Sequence, residues 1–279
     1  MNKQIRILAV FGLIAMLYCC SGCSTQSSNN GNDKKEIVPW NVSIFLDLSD
    51  RIIKQENGMK QDEKDTIIVN KVIDVFVCKV VKDKITKSND RIKVFFYPSP
   101  QDKSINNLSR QMEVDFSKIK SADKRKKLKD LKSDFSNCLS QIYTQTMDEK
   151  NWVGSDIWGF FDKGKVSDFC IKEGYRNILI ILSDGYIFHA NNKIKQGSQY
   201  SYILPQTISA GGELIPCDSL RGDLEILFLE INANPSTDYK AIKTCLSKSF
   251  DNMNIKKYEI KDTDIPQNTN IVVENFFNE

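Results

Sequence analysis

This chain contains two short, mostly apolar runs that are each followed by acidic and hydroxyl side chains. The first run covers residues 42–46 and is followed by Asp47 and Ser49, and the second covers residues 178–182 and is followed by Asp184. Continuous apolar runs of this length are typical of strands that are buried on both faces, as in a parallel sheet covered by helices. In open sheets of that kind, ligands bind beyond the carboxyl ends of the strands. The sequence therefore predicts a site where these two runs end.

Strand and helix patterns alternate along the rest of the chain. Period-two or continuous apolar patterns predict strands over residues 42–48, 91–97, 112–116 (at the sheet edge), 176–183, 224–231 and 255–260. Apolar stripes at helical spacing predict helices over residues 62–81, 124–147, 238–250 and 266–277, with a loop over residues 151–159 and a long aperiodic segment over residues 185–222. We expect a doubly wound α/β fold, a mostly parallel sheet flanked by helices, forming a single domain over residues 39–279.

The amino-terminal segment has the pattern of a targeting signal. Residues 1–22 carry Lys3 and Arg6 before a short apolar stretch, which is too short to span a bilayer. The following Cys20-Ser21-Gly22-Cys23 resembles the lipobox of bacterial lipoproteins, and this implies cleavage before Cys23 and a lipid on its thiol. An ordinary secretory signal without lipid, or a lipid on Cys19, are the alternatives.

Residues 23–38 are mainly small and polar, which is typical of a flexible tether. Surface lipoproteins of Bacteroides-type bacteria often carry acidic residues directly after the lipidated cysteine, and this chain has none there. We therefore expect a lipid-anchored protein of the outer membrane that faces the periplasm.

Net charge and cysteine spacing argue against nucleic-acid binding, zinc binding and redox chemistry. The net charge of +3 gives no indication of nucleic-acid binding. The basic stretch 124–132 is interpreted as a solvated helix face, with a phosphate-binding patch as the less favoured reading. Five cysteines follow Cys23 without a Cys-x-x-Cys motif, which argues against zinc or redox chemistry.

The predicted environment of each cysteine follows from the element that contains it. Cys78 and Cys138 lie in apolar helical patterns and are expected to be buried. Cys170 and Cys217 lie in predicted loops and form the first disulfide to test.

The candidate site combines two carboxylates with two hydroxyls. Asp47, Ser49, Ser183 and Asp184, at the ends of the two apolar runs, offer hard oxygen ligands of the kind that Mg²⁺, Ca²⁺ or Mn²⁺ prefers. Few anionic ligands would leave a Mg²⁺ with an open position that a carboxylate of a partner could fill. The plainer alternative is that the acidic side chains only cap the segments that follow them.

Three short motifs resemble the metal-ion-dependent adhesion site of the von Willebrand factor A family. Residues 47–51 (Asp-Leu-Ser-Asp-Arg) are similar to the family's Asp-x-Ser-x-Ser, residues 154–157 (Gly-Ser-Asp-Ile) to Gly-Thr-Asp-Ile, and residues 182–185 (Leu-Ser-Asp-Gly) to its last acidic element. The resemblance covers roughly residues 40–278. It implies that Asp47, Ser49, Ser155 and Asp184 hold Mg²⁺ and that a protein partner completes the site.

Arg51 departs from the family's pattern, because it stands where a second Ser is usual. A guanidinium is always charged and pairs with carboxylates, so it could fold over Asp47 or Asp184 in the metal's place, or point outward to meet an acidic ligand. Asp50 and Asp156 are further acids that could modulate the site, Asp156 from just outside the first ligand shell.

Two classes of function fit these observations. The favoured one is a non-catalytic, lipid-anchored module that binds a protein partner. The alternative is a periplasmic metal-dependent hydrolase resembling phosphatases, although the usual Asp-x-Asp of such enzymes is absent. The single histidine, His189, is interpreted as a contact residue rather than a base, and Trp40, Trp152 and Trp158 flank the same region.

Overall fold

The apolar runs pair side by side in the structure, which is a computed structural model. It describes residues 37–53, 55–56, 58–148, 155–162, 164–185, 194–196, 199–201, 220–233 and 236–279. Residues 37–279 form one compact unit. The predicted signal segment, Cys23 and most of the tether lie outside the described residues, as do Gly154, His189, Trp152 and Cys217.

Six strands form the central sheet: β1 Trp40–Leu46, β4 Arg91–Phe95, β5 Glu113–Asp115, β6 Arg176–Leu182, β9 Glu225–Ile231 and β10 Lys257–Asp262. Their order across the sheet is β10-β9-β6-β1-β4-β5. All neighbours pair in parallel except β5, which runs antiparallel to β4 at one edge. Two short hairpins, β2 Gln55–Glu56 with β3 Met59–Lys60 and β7 Ile194–Gln196 with β8 Gln199–Ser201, lie apart from this sheet.

In the described part of the chain, seven α-helices accompany the strands: α1 Gln61–Lys82, α2 Lys103–Gln111, α3 Lys124–Asp148, α4 Ile157–Asp162, α5 Lys165–Cys170, α6 Ser236–Asn252 and α7 Pro266–Asn278. 3₁₀ turns cover Asp50–Ile53, Ile85–Lys87 and Phe116–Lys118.

Alternate residues of the central strands face two separate hydrophobic layers. Val42, Ile44 and Leu46 of β1 pack into the layer that contains side chains of α1, α2, α3 and α7. Phe45 packs into the opposite layer with side chains of α4, α5 and α6. Because both faces are covered, apolar residues are favoured at most positions of these strands, which explains the nearly continuous apolar runs of the sequence. The expected mostly parallel sheet flanked by helices is confirmed.

The structure corrects two local expectations. Helix α2 was not expected, although Asp102 caps it by accepting a hydrogen bond from the Ile105 amide at 2.9 Å. Residues 157–159, expected in a loop, form the first part of α4.

The environments of Cys78 and Cys170 also differ from expectation. Cys78 is exposed rather than buried, whereas Cys138 is buried as expected. Cys170 is a free, fully buried thiol at the end of α5 rather than a loop residue, and burial raises its pKa to about 11. Its proposed partner Cys217 lies outside the described residues.

Candidate functional site

Two of the three predicted motifs directly follow the neighbouring parallel strands β1 and β6, and the third, which includes Asp156, lies against the residues after β4. β1 lies between β6 and β4, and the Asp47 amide after β1 donates to the Leu182 carbonyl at the end of β6 at 3.1 Å. The Asp156 amide donates to the carbonyl of Tyr97, just after β4, at 2.9 Å. All three motifs therefore lie on the side of the sheet where the parallel strands end, which we call the carboxyl edge.

Asp47 is fully buried and both of its carboxylate oxygens accept hydrogen bonds. Oδ1 accepts from the Ser49 amide at 2.8 Å, and Oδ2 accepts from the Ser183 hydroxyl at 2.8 Å. The first bond is a local turn that aspartate favours after a strand. These donors hold the carboxylate in one orientation, and each oxygen keeps a second lone pair for another ligand.

Asp156 serves as a structural cap. Its Oδ1 accepts the amide of Gly159 at 2.7 Å in the first turn of α4. A side chain at Gly159 would meet Asp156 Oδ2 at 2.2 Å, so only glycine fits there. This cap fixes the position of the preceding residue, Ser155, against the end of β4.

Ser155 is fully buried, and its hydroxyl has no hydrogen-bond partner among the described residues. Burying a hydroxyl without a partner costs about 1–3 kcal/mol, so native proteins rarely leave one in that state. Asp184 follows β6 with 6% of its surface exposed, and its carbonyl accepts the Asn232 amide at 3.1 Å. Asp50 begins the 3₁₀ turn, and its side chain lies outside the described part.

Arg51 points into the protein, with only 1% of its surface exposed. Its main partner is Asp65 of α1, reached by Nη2 at 2.6 Å from Oδ2. Nη2 also donates to the Leu182 carbonyl at 3.0 Å, and Nε donates to the Asp47 carbonyl at 3.2 Å. The outward orientation that the sequence left open is therefore not the one adopted.

The positive charge of Arg51 lies close to Asp47, whose carboxylate keeps its hydrogen bonds from Ser49 and Ser183. The Arg51 Nε is 3.8 Å from Asp47 Oδ2. Burial lowers the pKa of Arg51, but the carboxylates of Asp65 and then Asp47 raise it, and the net pKa lies above the ordinary value. The guanidinium is thus a permanent cation close to the Asp47 carboxylate.

Asp65 anchors a buried polar cluster that the sequence did not indicate. Tyr143 donates its hydroxyl to Asp65 Oδ2 at 3.0 Å, and Gln61 donates to Oδ1 at 2.9 Å. Burial first, and then the charge of Asp65, raise the pKa of Tyr143 well above its ordinary value, so the phenol remains a donor. The only signal in the sequence is the spacing of Gln61, Lys64 and Asp65, which places three polar residues on one side of α1.

Glu230 joins this cluster from a β-bulge. It has a positive φ of 71°, and the pairing register between β9 and β10 shifts beside it. Bulges of this kind redirect a side chain. Its Oε2 accepts from Lys64 at 2.9 Å and from Thr263 at 2.9 Å. Burial raises the pKa of Glu230, and Lys64 opposes that shift.

The donor set fits a hard divalent cation in kind. Asp47, Ser49, Ser155 and Asp184 are brought to one edge of the sheet, and the Ser155 hydroxyl lacks a partner that a cation would provide. The nearby charge of Arg51 opposes a second cation. Within the described ranges, no group of three or more His, Cys, Asp or Glu residues is placed to hold a metal ion. The predicted set has two carboxylates and two hydroxyls, so it contains too few of these residue types to form such a group.

Comparisons with known proteins find likeness at the level of structure alone. No family model matches the chain, and no curated protein matches it. Solved structures that match include the pilus adhesin SpaC from Lactobacillus rhamnosus GG, with a TM-score of 0.43 and 10% identity. Its open conformation gives a TM-score of 0.45 and 13% identity. In both, the match covers 88% of this chain and 30% of the adhesin chain.

No helix in the described part of the chain is both long enough and apolar enough to cross a lipid bilayer.

Proposed function

We propose that residues 39–279 form a von Willebrand factor A-like interaction domain with a degenerate metal-ion-dependent adhesion site. Asp47, Ser49, Ser155 and Asp184 would hold Mg²⁺, with Ca²⁺ or Mn²⁺ as alternatives. A carboxylate of a protein partner would complete the coordination. A lipid on Cys23 would hold the domain at the outer membrane, on the periplasmic side.

The Ser155 hydroxyl carries this proposal. It is buried without a partner in the described structure, at the loop position that corresponds to the family's threonine ligand. A cation would satisfy it, and the remaining donors lie at the same edge. A purely structural serine at this position would be expected to bond a neighbouring carbonyl, as buried hydroxyls generally do.

Arg51 is the reason for describing the site as degenerate. It removes one hydroxyl from the family's first motif and adds a positive charge 3.8 Å from Asp47 Oδ2. Like charges in a partly buried region oppose each other, so we expect Mg²⁺ to bind less tightly than to a site with serine at position 51.

Calorimetric titration with Mg²⁺ tests the site, using residues 24–279, which include the whole compact unit. We expect Ser155→Ala to weaken binding by about tenfold or more. Its unfolding free energy should be unchanged or higher by up to about 1 kcal/mol, because an unpaired hydroxyl is removed.

The matched control is Ser43→Ala. The Ser43 hydroxyl is also fully buried without a hydrogen-bond partner among the described residues, but it lies in the middle of β1 and away from the strand ends. Mg²⁺ binding should survive this change. Equal Mg²⁺ affinity in wild type and Ser155→Ala, or no binding by wild type, would refute the proposed site.

The anchor is tested separately by metabolic labelling with a fatty-acid analogue. We expect label in the wild-type chain and in Cys19→Ala, and none in Cys23→Ala. Label that disappears in Cys19→Ala and persists in Cys23→Ala would move the lipid to Cys19, and no label in wild type would contradict lipidation.

A further inference from the structure

The opposite side of the sheet, where the parallel strands begin, collects exposed basic residues. We call it the amino edge and define it by residues 37–39, 81–90 and 116–129. The exposed cations in these segments are Lys82, Lys84, Lys87, Lys118, Lys120, Arg125, Lys126 and Lys129. They come from two stretches of the chain that are separated by β4, α2 and β5.

Hydrogen bonds hold these two stretches together as one surface. Lys124 donates to the Ser88 carbonyl at 2.6 Å, and the Ser121 hydroxyl donates to the Thr86 carbonyl at 3.3 Å. The Phe116 amide donates to the Asp90 carbonyl at 2.9 Å. The basic stretch 124–132 is therefore more than one solvated helix face, because a second basic segment lies beside its start.

The three acidic residues of these segments do little to neutralise the cations. Asp83 pairs with Lys79 at 2.9 Å, and Asp90 is buried and also pairs with Lys79. Asp123 is exposed and forms no ion pair in the described structure, so a single exposed acid faces eight exposed cations. Of the eight exposed cations, only Lys126 forms an ion pair within the described structure, with Asp130 at 2.8 Å. The chain as a whole carries a net charge of only +3, so this edge is far more basic than the average surface.

Exposed apolar side chains occur on the same edge. Ile37, Val38 and Val81 expose 60%, 52% and 52% of their surface. The Val38 carbonyl accepts a hydrogen bond from Lys79 at 3.3 Å, which places the start of the compact unit beside the end of α1. Cations that surround a few exposed apolar residues are typical of surfaces that rest on a lipid headgroup layer.

We infer that the amino edge docks on an anionic phospholipid bilayer. This rests on the proposed function only in that the lipid at Cys23 would bring the bilayer near. The described chain begins at Ile37 on this same edge, and the 13 residues between Cys23 and Ile37 (36 minus 23) are long enough to span at most about 45 Å. A single lipid chain binds membranes reversibly, and a polybasic patch is a common second signal that makes the attachment stable.

Docking in this way fixes the direction in which the candidate site faces. The parallel strands run from the amino edge to the carboxyl edge, and seven-residue strands such as β1 separate the two by about 20 Å. A bilayer at the amino edge therefore leaves the carboxyl edge, with the segments that carry Asp47, Ser155 and Asp184, on the side of the domain that faces away from the membrane.

Vesicle co-sedimentation tests this inference with residues 24–279, which lack the lipid. We expect binding to vesicles of phosphatidylglycerol mixed with phosphatidylcholine, none to phosphatidylcholine alone, and loss of binding at ~0.5 M NaCl. The test variant combines Lys87→Gln, Lys118→Gln, Lys120→Gln and Arg125→Gln. Each charge removed should weaken vesicle affinity by about fivefold, so the combined loss should exceed a hundredfold.

The matched control removes four exposed lysines near the carboxyl edge by combining Lys60→Gln, Lys103→Gln, Lys240→Gln and Lys243→Gln. It has the same net charge as the test variant and should keep most of the vesicle binding. Absence of binding by the parent chain, or equal losses in both variants, would overturn the docking surface. So would patch-dependent binding to DNA without binding to vesicles. None of these outcomes affects Mg²⁺ binding or fatty-acid labelling, so failure here is distinguishable from failure of the proposed function.

Discussion

The charged cluster of Arg51, Asp65 and Glu230 at the carboxyl edge is buried and paired, whereas eight cations of the amino edge are exposed and mostly without ion pairs in the described structure. Arg51, Asp65 and Glu230 are each 1% exposed or less, and Arg51 and Asp65 form a close ion pair. Lys87 and Lys118 at the opposite edge lie open to solvent. The difference indicates that the buried charges at the carboxyl edge fix the positions of neighbouring side chains. The exposed charges at the amino edge are available to bind an external partner.

The largest expected effect comes from removing the buried cation. Arg51→Ala leaves Asp65 buried without its main partner, and breaking such a pair costs about 3–5 kcal/mol of unfolding free energy. The matched change at the amino edge, Lys87→Ala, should alter stability by less than about 0.5 kcal/mol. Urea denaturation measures both. A loss below about 1 kcal/mol for Arg51→Ala would mean that Tyr143 and Gln61 satisfy Asp65 by themselves.

Metal affinity separates the charge of Arg51 from its structural role. The double variant Arg51→Ser with Asp65→Asn removes both members of the pair and restores the hydroxyl of the family's motif. We expect Mg²⁺ to bind about tenfold more tightly or better, because a positive charge 3.8 Å from Asp47 is gone.

Asp65→Asn alone is the control for that comparison. It frees the guanidinium to turn toward Asp47, so calorimetric titration should show weaker Mg²⁺ binding than wild type. Equal affinities for wild type and the double variant would show that Arg51 does not govern the site.

The pH dependence of stability sharpens the comparison further. Burial raises the pKa of Glu230 above its ordinary value of 4.5, so the folded protein holds this proton more tightly than the unfolded chain does. Ionising Glu230 therefore lowers stability as the pH rises from that ordinary value through the raised pKa.

Relative to Glu230→Gln, wild type should lose unfolding free energy across this window. Urea denaturation of both proteins at several pH values from about 4 to about 7 measures the difference. A difference that stays constant or grows with pH would show that Lys64 outweighs the burial of Glu230.

The smallest effect is expected from the amino edge. The variant combining Lys87→Gln, Lys118→Gln, Lys120→Gln and Arg125→Gln should unfold within about 1 kcal/mol of wild type, because exposed residues away from buried partners contribute little. A larger loss would show that these cations support the fold, and the contrast between the two edges would then fail.

The sheet was predictable because both of its faces are buried. The strand expected over residues 176–183 is observed as Arg176–Leu182, and the helix expected over 62–81 as Gln61–Lys82. Cys78 was misplaced because it lies two positions from both Phe76 and Val80, which puts it on the other side of the helix from the buried stripe.

The contacts of the candidate site were less predictable than its position. The motif pattern located Asp47 at a strand end and Ser155 in a loop of the same site, but nothing in the order of residues pairs Arg51 with Asp65 across 14 positions. Glu230 lies within an apolar strand pattern, and the bulge that turns it toward Lys64 depends on its pairing with β10. Such contacts follow from how elements pack, which a linear pattern does not specify.

The order of the strands has a consequence for how neighbouring copies behave when they are crowded on a surface. The sheet ends on β5, which is only three residues long, and on β10, which carries Lys257, Glu259 and Lys261. Short or charged border strands make poor templates for another chain to add to. Copies of this protein held at high density should therefore remain separate and resist aggregation through their sheets.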